Sequence, residues 1–168
     1  DLPIAGDLLL HLGQIPVYRE SRDASLSLQG ALDAVRSGGC VVVYPEATLT
    51  RDPDLWPMRG KSGAARIALE TGCPVVPLAH WGAQRILAPY GRVARMFPPT
   101  KVVVRAGAPV DLSDLAGPGS ARALRTATDR IMLRITGMVE EIRGEQAPPE
   151  RFDPEQAGVS STGNPRKS

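Results

Sequence analysis

Apolar residues recur every three or four positions in four segments of the chain, a spacing that predicts amphipathic helices. These segments are residues 1–13, 25–37, 61–71 and 120–143. The last is the strongest prediction, because its apolar stripe from Leu124 to Ile142 is the longest. Gly38, Gly72 and Gly144 follow the last three segments, and glycine commonly follows the end of a helix.

Three short runs of apolar, mostly β-branched residues predict buried strands. They are residues 40–44, 74–79 and 101–105. Residues 14–19 are a further extended segment, expected to be an edge strand or a loop because Pro16 cannot donate to a ladder. Strands separated by helices need crossover connections, so we expect an α/β fold with a mostly parallel sheet covered by helices. Such sheets bind ligands beyond the carboxyl ends of their strands, which points to the loop after Tyr44.

The composition suits one domain and a tail. The chain has 168 residues and is 42% hydrophobic, so residues 1–144 can form one core. Residues 145–168 are polar and rich in Pro, Gly and Ser, which predicts disorder. No apolar run reaches the roughly 20 residues of a membrane-spanning helix, and no signal peptide is recognisable. Cys40 and Cys73 lack metal-site spacing and are expected to be buried thiols of a reducing compartment. We therefore expect a cytoplasmic protein, with any association with a membrane peripheral.

The basic residues are unevenly distributed, although the net charge is only +2. No acidic residue occurs between Thr71 and Val110. The same stretch contains Arg85, Arg92, Arg95, Lys101 and Arg105. Two interpretations are open: a solvated basic face, or a cationic surface for anionic lipid or phosphate. The arginines are not interleaved with aromatic residues, so nucleic acid is not an expected partner.

Polar residues follow two of the predicted extended segments. Arg19 ends the first, and Glu46 with Arg51 follows the strand that ends at Tyr44. The planar fork of donors on arginine matches phosphate, so Arg19 and Arg51 are candidate phosphate contacts. Glu46 could accept a hydrogen bond from a substrate hydroxyl. It could equally form a Glu–Arg pair that closes the loop.

Other kinds of site find less support in the sequence. Gly60-Lys61-Ser62 is similar to the end of a P-loop, but Leu55 stands where the first glycine is needed. Lys61 remains a candidate anion contact at a helix N-terminus. No Gly-x-Ser-x-Gly motif occurs, and no cluster of His, Cys, Asp and Glu has the spacing of a metal site.

Three blocks of sequence, in order, resemble the glycerolphosphate and 1-acylglycerol-3-phosphate (lysophosphatidate) acyltransferase family in its bacterial form. They are residues 14–19 (QIPVYR), 43–48 (VYPEAT) and 74–77 (PVVP), which resemble the second, third and fourth blocks of that family. The resemblance covers roughly residues 1–110. It implies transfer of a fatty acyl group from a coenzyme A or acyl-carrier-protein thioester to a lysophospholipid hydroxyl in phospholipid biosynthesis, with no cofactor beyond that co-substrate.

The resemblance also assigns roles to particular residues. Arg19 matches the basic residue that contacts the acceptor phosphate, and Glu46 matches the glutamate that helps to bind glycerol phosphate. Thr48 lies in the same block as Glu46 and is counted with the acceptor-binding residues. Pro77 matches the proline that shapes the acyl-donor site.

The third block departs from the family pattern at two positions. Ala47 replaces the usual glycine, and Leu49 replaces the usual arginine. Arg51 stands two residues later, and we expect it to take over the phosphate contact.

The first block of the family, His-x4-Asp, does not occur in this sequence. The fifth residue after His11 is Pro16, and the fifth after His80 is Arg85. The resemblance gives this histidine the role of general base, which contributes roughly 10²–10⁴-fold to rate. We therefore assign no catalytic residue, and expect an N-terminally truncated chain that is inactive and poorly soluble alone. The alternative is a catalytically inactive relative that binds phospholipid headgroups.

Overall fold

The computed structural model describes residues 24–115 and 120–160, with side chains from Ser27 onward. The helices are α1 (Ala24–Arg36), α2 (Gly63–Thr71), α3 (Ala83–Ile86) and α4 (Ala121–Arg143). The strands are β1 (Leu78–Trp81) and β2 (Val103–Ala106), and a 3₁₀ turn follows at Ser113–Leu115. Residues 1–13 and 14–19, predicted as a helix and an extended segment, lie outside the described residues.

The long helix α4 has the ends that its sequence predicts. The Ser120 hydroxyl accepts a hydrogen bond from the Ala123 amide at 3.1 Å, which caps the first turn. Gly144 ends the helix in the left-handed region at φ 69°, and its amide donates to the Glu140 carbonyl. The helices predicted at 25–37, 61–71 and 120–143 are confirmed to within two residues at each end.

Within the described residues, buried apolar side chains form three small clusters. Trp56, Ala79, Met138 and Val139 form the cluster in which α4 packs on β1. Ala65, Leu69, Ala127 and Ile131 join α2 to α4. Ala31, Leu32 and Ile67 join α1 to α2. Apart from Trp56, these buried residues are aliphatic side chains, methionine and alanine, and α2 and α4 each take part in two of the clusters.

The prediction of a strand at residues 40–44 is wrong. These residues are assigned neither helix nor strand, and Val42 and Tyr44 are 70% and 73% exposed. Cys40 is exposed as well and Cys73 is half-buried, so the expectation of two buried thiols is wrong. The apolar run has no strand partner among the described residues, and a strand forms only where a neighbour completes its hydrogen bonds.

The mostly parallel sheet is not confirmed. The described residues contain one two-stranded sheet, in which β1 and β2 are antiparallel with Ala79 opposite Arg105. The connection between them has a helix of four residues, too short for a crossover of the kind that parallel strands need. The chain reverses direction instead.

Both strands begin later than the sequence predicts. The strand predicted from residue 74 begins only at Leu78. It begins late because Pro74 and Pro77 lack the amide hydrogen that pairing in a sheet requires. Carbonyl groups in this run still accept hydrogen bonds at 2.9 Å, that of Val75 from Val110 and that of Pro77 from Gly107.

Residues 145–160, which the sequence predicts to be disordered, make specific contacts in the structure. The Ala147 amide donates to Glu140 at 2.8 Å, and the Arg59 amide donates to the Phe152 carbonyl at 3.0 Å. An ion pair of 2.7 Å joins Arg59 to Asp153. This segment therefore returns to the loop of residues 45–60.

Candidate functional site

The loop of residues 45–60 is organised around the carboxylate of Asp52. This residue is buried, and its Oδ1 accepts hydrogen bonds from the amides of Asp54 at 2.9 Å and Trp56 at 3.1 Å. The Thr50 hydroxyl donates to the Trp56 carbonyl at 2.6 Å. An irregular loop lacks the regular hydrogen bonds between backbone groups that a helix or a sheet provides. Side chains such as Asp52 bond to the loop backbone instead and hold it in one conformation.

Glu46 lies where the two ends of this loop meet. Its Oε2 accepts a hydrogen bond from the amide of Met58 at 3.0 Å. One residue before Glu46, the Pro45 carbonyl accepts from the Lys61 amide at 2.7 Å. These two bonds bring the start of the loop against the residues that lead into α2, so Glu46 and Lys61, predicted as parts of one site, belong to one local structure.

The carboxyl group of Glu46 has an unusual environment. Its pKa is raised from 4.5 to about 7, chiefly by burial and also by the charge of Asp52, against the opposing effect of the Met58 hydrogen bond. Near neutral pH the neutral and the ionised forms of this carboxyl are therefore both populated. The neutral form can donate a hydrogen bond to a phosphate oxygen, and the ionised form can accept one from a hydroxyl.

Arg51 is held by two other segments of the chain. Its Nε donates to the Ser160 carbonyl at 3.1 Å, and its Nη1 donates to the Tyr90 hydroxyl. The guanidinium carbon lies 5.1 Å from the centre of the Tyr90 ring. The ion pairs of the described residues do not include Glu46 with an arginine, so the Glu–Arg pair that would close the loop is not found within these residues.

The backbone at Ala47 has the geometry that glycine favours. Its φ is 57°, in the left-handed region that most residues avoid. The glycine usual in the resembling family would have this conformation without strain. Alanine adopts this conformation here at a cost in strain that glycine would not have.

The remaining predicted site residues are placed as follows. Thr48 is half-buried and Lys61 is exposed just before Ser62, the residue that precedes α2. Pro77 is buried, and a Cβ added to Gly107 would lie 3.0 Å from its ring, so Pro77 packs in the core beside β2. Its role at an acyl-donor site stays a prediction. Arg19 lies outside the described residues.

Sequence reasoning missed the arginine that links the loop to α4. The guanidinium of Arg143 lies 3.8 Å from the ring centre of Trp56 and 4.4 Å from that of Trp81. It also donates to the Asp54 carbonyl at 2.9 Å and pairs with Glu145. Two tryptophans among few aromatic residues were the available signal, because a buried tryptophan face commonly attracts arginine.

The described residues offer no group of three or more His, Cys, Asp and Glu side chains able to hold a metal ion. No helix within the same residues has the length and apolar character to cross a membrane.

Comparisons with known proteins agree on one family. A model of the acyltransferase family matches residues 1–81, which include the Glu46 loop. The chain is similar to the chloroplastic 1-acyl-sn-glycerol-3-phosphate acyltransferase BAT2 of Brassica napus, with 33% identity over 87 residues that cover 51% of this chain and 25% of that protein. The corresponding LPAT1 of Arabidopsis thaliana is 30% identical, with 51% and 24% covered. The chain thus spans about a quarter of the length of these two relatives.

A solved structure is similar as well. The crystal structure of PlsC, the 1-acyl-sn-glycerophosphate (LPA) acyltransferase of Thermotoga maritima, matches with a TM-score of 0.53 and 29% identity. The match covers 74% of this chain and 47% of that one.

Proposed function

The chain belongs to the acyltransferase family, and we propose that it takes part in transferring a fatty acyl group from an acyl thioester to the free hydroxyl of 1-acylglycerol 3-phosphate. The names of its relatives support this acceptor. In the reaction, the hydroxyl oxygen bonds to the thioester carbonyl carbon, the carbon–sulfur bond breaks, and the hydroxyl proton passes through a base to the leaving thiolate. Acyl coenzyme A and acyl-carrier protein are both suitable donors of this class.

The observation that best supports the proposal is the half-buried carboxyl of Glu46, held by the Met58 amide. It lies within the part of the chain that the family model matches, and its pKa of about 7 lets it serve as donor or acceptor. A glycerol phosphate presents hydroxyl donors and phosphate acceptors together. We propose that Glu46 hydrogen-bonds this headgroup, with its neutral form avoiding repulsion by the phosphate.

The phosphate itself needs cationic partners. We propose that Arg51, within the loop, and Lys61, directly after it, supply them, with Arg19 completing the set and the Thr48 hydroxyl donating a neutral hydrogen bond. Arginine binds phosphate through a planar fork, and lysine binds it as a point charge. Arg51 is already oriented by Tyr90 and Ser160, which reduces the side-chain entropy that binding would cost.

Three further parts of the proposal concern the rest of the molecule. We assign Pro77 to the wall of the acyl-donor site. The sheet is proposed to be mostly parallel in the protein as a whole, as the α/β pattern predicts. The protein is proposed to act in the cytoplasm at the inner face of the cell membrane, as a peripheral partner of the surface that presents its acceptor.

The acceptor site can be tested by binding, without turnover. We expect the chain to bind short-chain 1-acylglycerol 3-phosphate at least about tenfold more tightly than the matching uncharged 1-acylglycerol, because charge-assisted hydrogen bonds to phosphate strengthen binding. Arg51→Ala should lower the affinity for the phosphorylated lipid about tenfold, and the exposed Arg122→Ala on α4 should leave it unchanged. Equal binding of the two lipids, or equal loss in both variants, would refute the site.

A second candidate function uses the same site. The alternative proposal is a relative that holds the phospholipid headgroup without acyl transfer. Release of thiol from an acyl thioester in the presence of 1-acylglycerol 3-phosphate distinguishes the two. Headgroup binding without thiol release supports this candidate for the chain as given, and thiol release supports the transferase.

A further inference from the structure

The connection between α3 and β2 contains a segment, residues 87–97, in which exposed apolar side chains alternate with basic ones. Its ends are close together, because the Arg95 amide donates to the Ile86 carbonyl at 2.7 Å. A tight turn at its centre is closed by the Gly91 amide, which donates to the Ala88 carbonyl at 2.7 Å. We call residues 87–97 the basic–apolar loop.

The apolar side chains of this loop are unusually open to solvent. Val93 is 79% exposed, Met96 69% and Phe97 86%, and Leu87 is half exposed. Single exposed apolar residues are normal on a protein surface, but four within eleven consecutive positions form a local concentration. Such a concentration is typical of a surface that contacts another apolar phase.

The charges around the same loop have one sign. Arg85, Arg92, Arg95 and Lys101 are all exposed, and the described residues provide none of them with an ion pair. Arg105, the fifth basic residue of this stretch, differs because it pairs with Glu141 at 2.7 Å. The neutralised arginine lies outside the loop, and the loop keeps its positive charge.

We propose that the basic–apolar loop is the surface through which this protein docks on an anionic lipid membrane. The membrane interface supplies both complementary features at once: anionic headgroups for the arginines and an acyl region for Val93, Met96 and Phe97. A protein partner would need an acidic rim around an apolar pocket to match them. The proposal rests on the proposed function in one respect, since a lipid acceptor is presented by a membrane.

The loop is also attached to the candidate site. Tyr90, at the centre of the loop, accepts the hydrogen bond of Arg51 and lies under its guanidinium. Docking of the loop would therefore place the proposed phosphate contact next to the membrane surface. The acceptor headgroup could then reach Arg51 without leaving the interface.

Vesicle sedimentation of the full chain tests the docking surface. We expect binding to vesicles that contain phosphatidylglycerol and weak binding to pure phosphatidylcholine. Arg92→Gln with Arg95→Gln should lower partitioning into the anionic vesicles by about tenfold or more at low salt, and Val93→Ser with Met96→Ser should lower it similarly. The matched controls are on α4. They are the double variant Arg122→Gln with Arg125→Gln, and Leu133→Ser at a residue that is 67% exposed. Each should change partitioning into the anionic vesicles less than twofold.

A fluorescence measurement locates the contact independently. In a chain with Cys40→Ser and Cys73→Ser, an environment-sensitive dye on Val93→Cys should shift to the blue on anionic vesicles, and the same dye on Leu133→Cys should not. Equal shifts at both positions, or unchanged partitioning in the loop variants, would overturn the proposal. Because soluble glycerol 3-phosphate binding can be measured without vesicles, loss of the docking surface is distinguishable from failure of the acceptor site.

Discussion

Replacing Glu46 with glutamine should make the protein less sensitive to rising pH. The carboxyl has a pKa of about 7 in the folded chain, against 4.5 when it is solvated. Each pKa unit corresponds to about 1.4 kcal/mol, so keeping this group ionised in the folded state costs about 3 kcal/mol. Glutamine has the same shape, and its amide oxygen can still accept the hydrogen bond from Met58.

The sign and the pH window follow from the two pKa values. Below about pH 4.5 the group is protonated in both states and costs nothing. As the pH rises toward 7, the unfolded chain releases the proton more readily than the folded chain, so the free energy of unfolding falls. Above pH 7 the loss is complete. We expect Glu46→Gln to match the original chain at pH 4.5 and to exceed its stability by up to about 3 kcal/mol at pH 8.

Urea denaturation between pH 4.5 and 8.5 measures this difference directly. Subtracting the two stability curves cancels every titration that both proteins share, and Glu150→Gln, at an exposed carboxyl, controls for the change in net charge. A constant difference across this range would refute the reasoning, because it would mean that burial does not favour the neutral carboxyl. A glutamine variant that is less stable at pH 8 would refute it as well.

Three other substitutions test the local structure by denaturation. Ala47→Gly should stabilise the protein by about 0.5–1 kcal/mol, because φ is 57° at this position; destabilisation would contradict the strain. Asp52→Ala should lower the free energy of unfolding by about 1–3 kcal/mol, because two loop amides lose their acceptor, and Asp52→Asn should lower it less. Equal losses in the two variants would exclude the role of Asp52 as that acceptor. Gly107→Ala should cost about 1–3 kcal/mol because its Cβ would meet a methionine sulfur at 2.9 Å, whereas Gly137→Ala, within α4, should stabilise the protein; the reverse order would contradict the packing.

The helices were predictable because their determinants are local. The apolar spacing lies within α4 itself, and Ser120 and Gly144 directly flank it, so its ends are set by neighbouring residues in the sequence. Strands depend on partners elsewhere in the chain. The run at residues 40–44 has the composition of a buried strand, but the described residues provide it with no neighbour and Val42 remains exposed. Composition therefore could not predict its structure.

The candidate site was predictable in its residue types more than in its contacts. The polar loop after Tyr44 and its carboxylate stood out in the sequence. The burial that raises the pKa of Glu46 depends on how its loop folds, and the tyrosine that holds Arg51 comes from a segment 39 residues away along the chain. Arg143 lies between Trp56 and Trp81 for the same reason. Periodicity has no information about such pairings, which the packing of α4 determines.

The central claim is that Arg19 and the loop that begins at Glu46 hold one acceptor phosphate. A double-mutant cycle on binding of short-chain 1-acylglycerol 3-phosphate tests it most directly, with Arg19→Gln, Arg51→Gln and the combined variant. Two residues that share one phosphate should be non-additive, with a coupling of at least about 0.5 kcal/mol. Additive losses within about 0.3 kcal/mol, or no loss in either single variant, would contradict the claim.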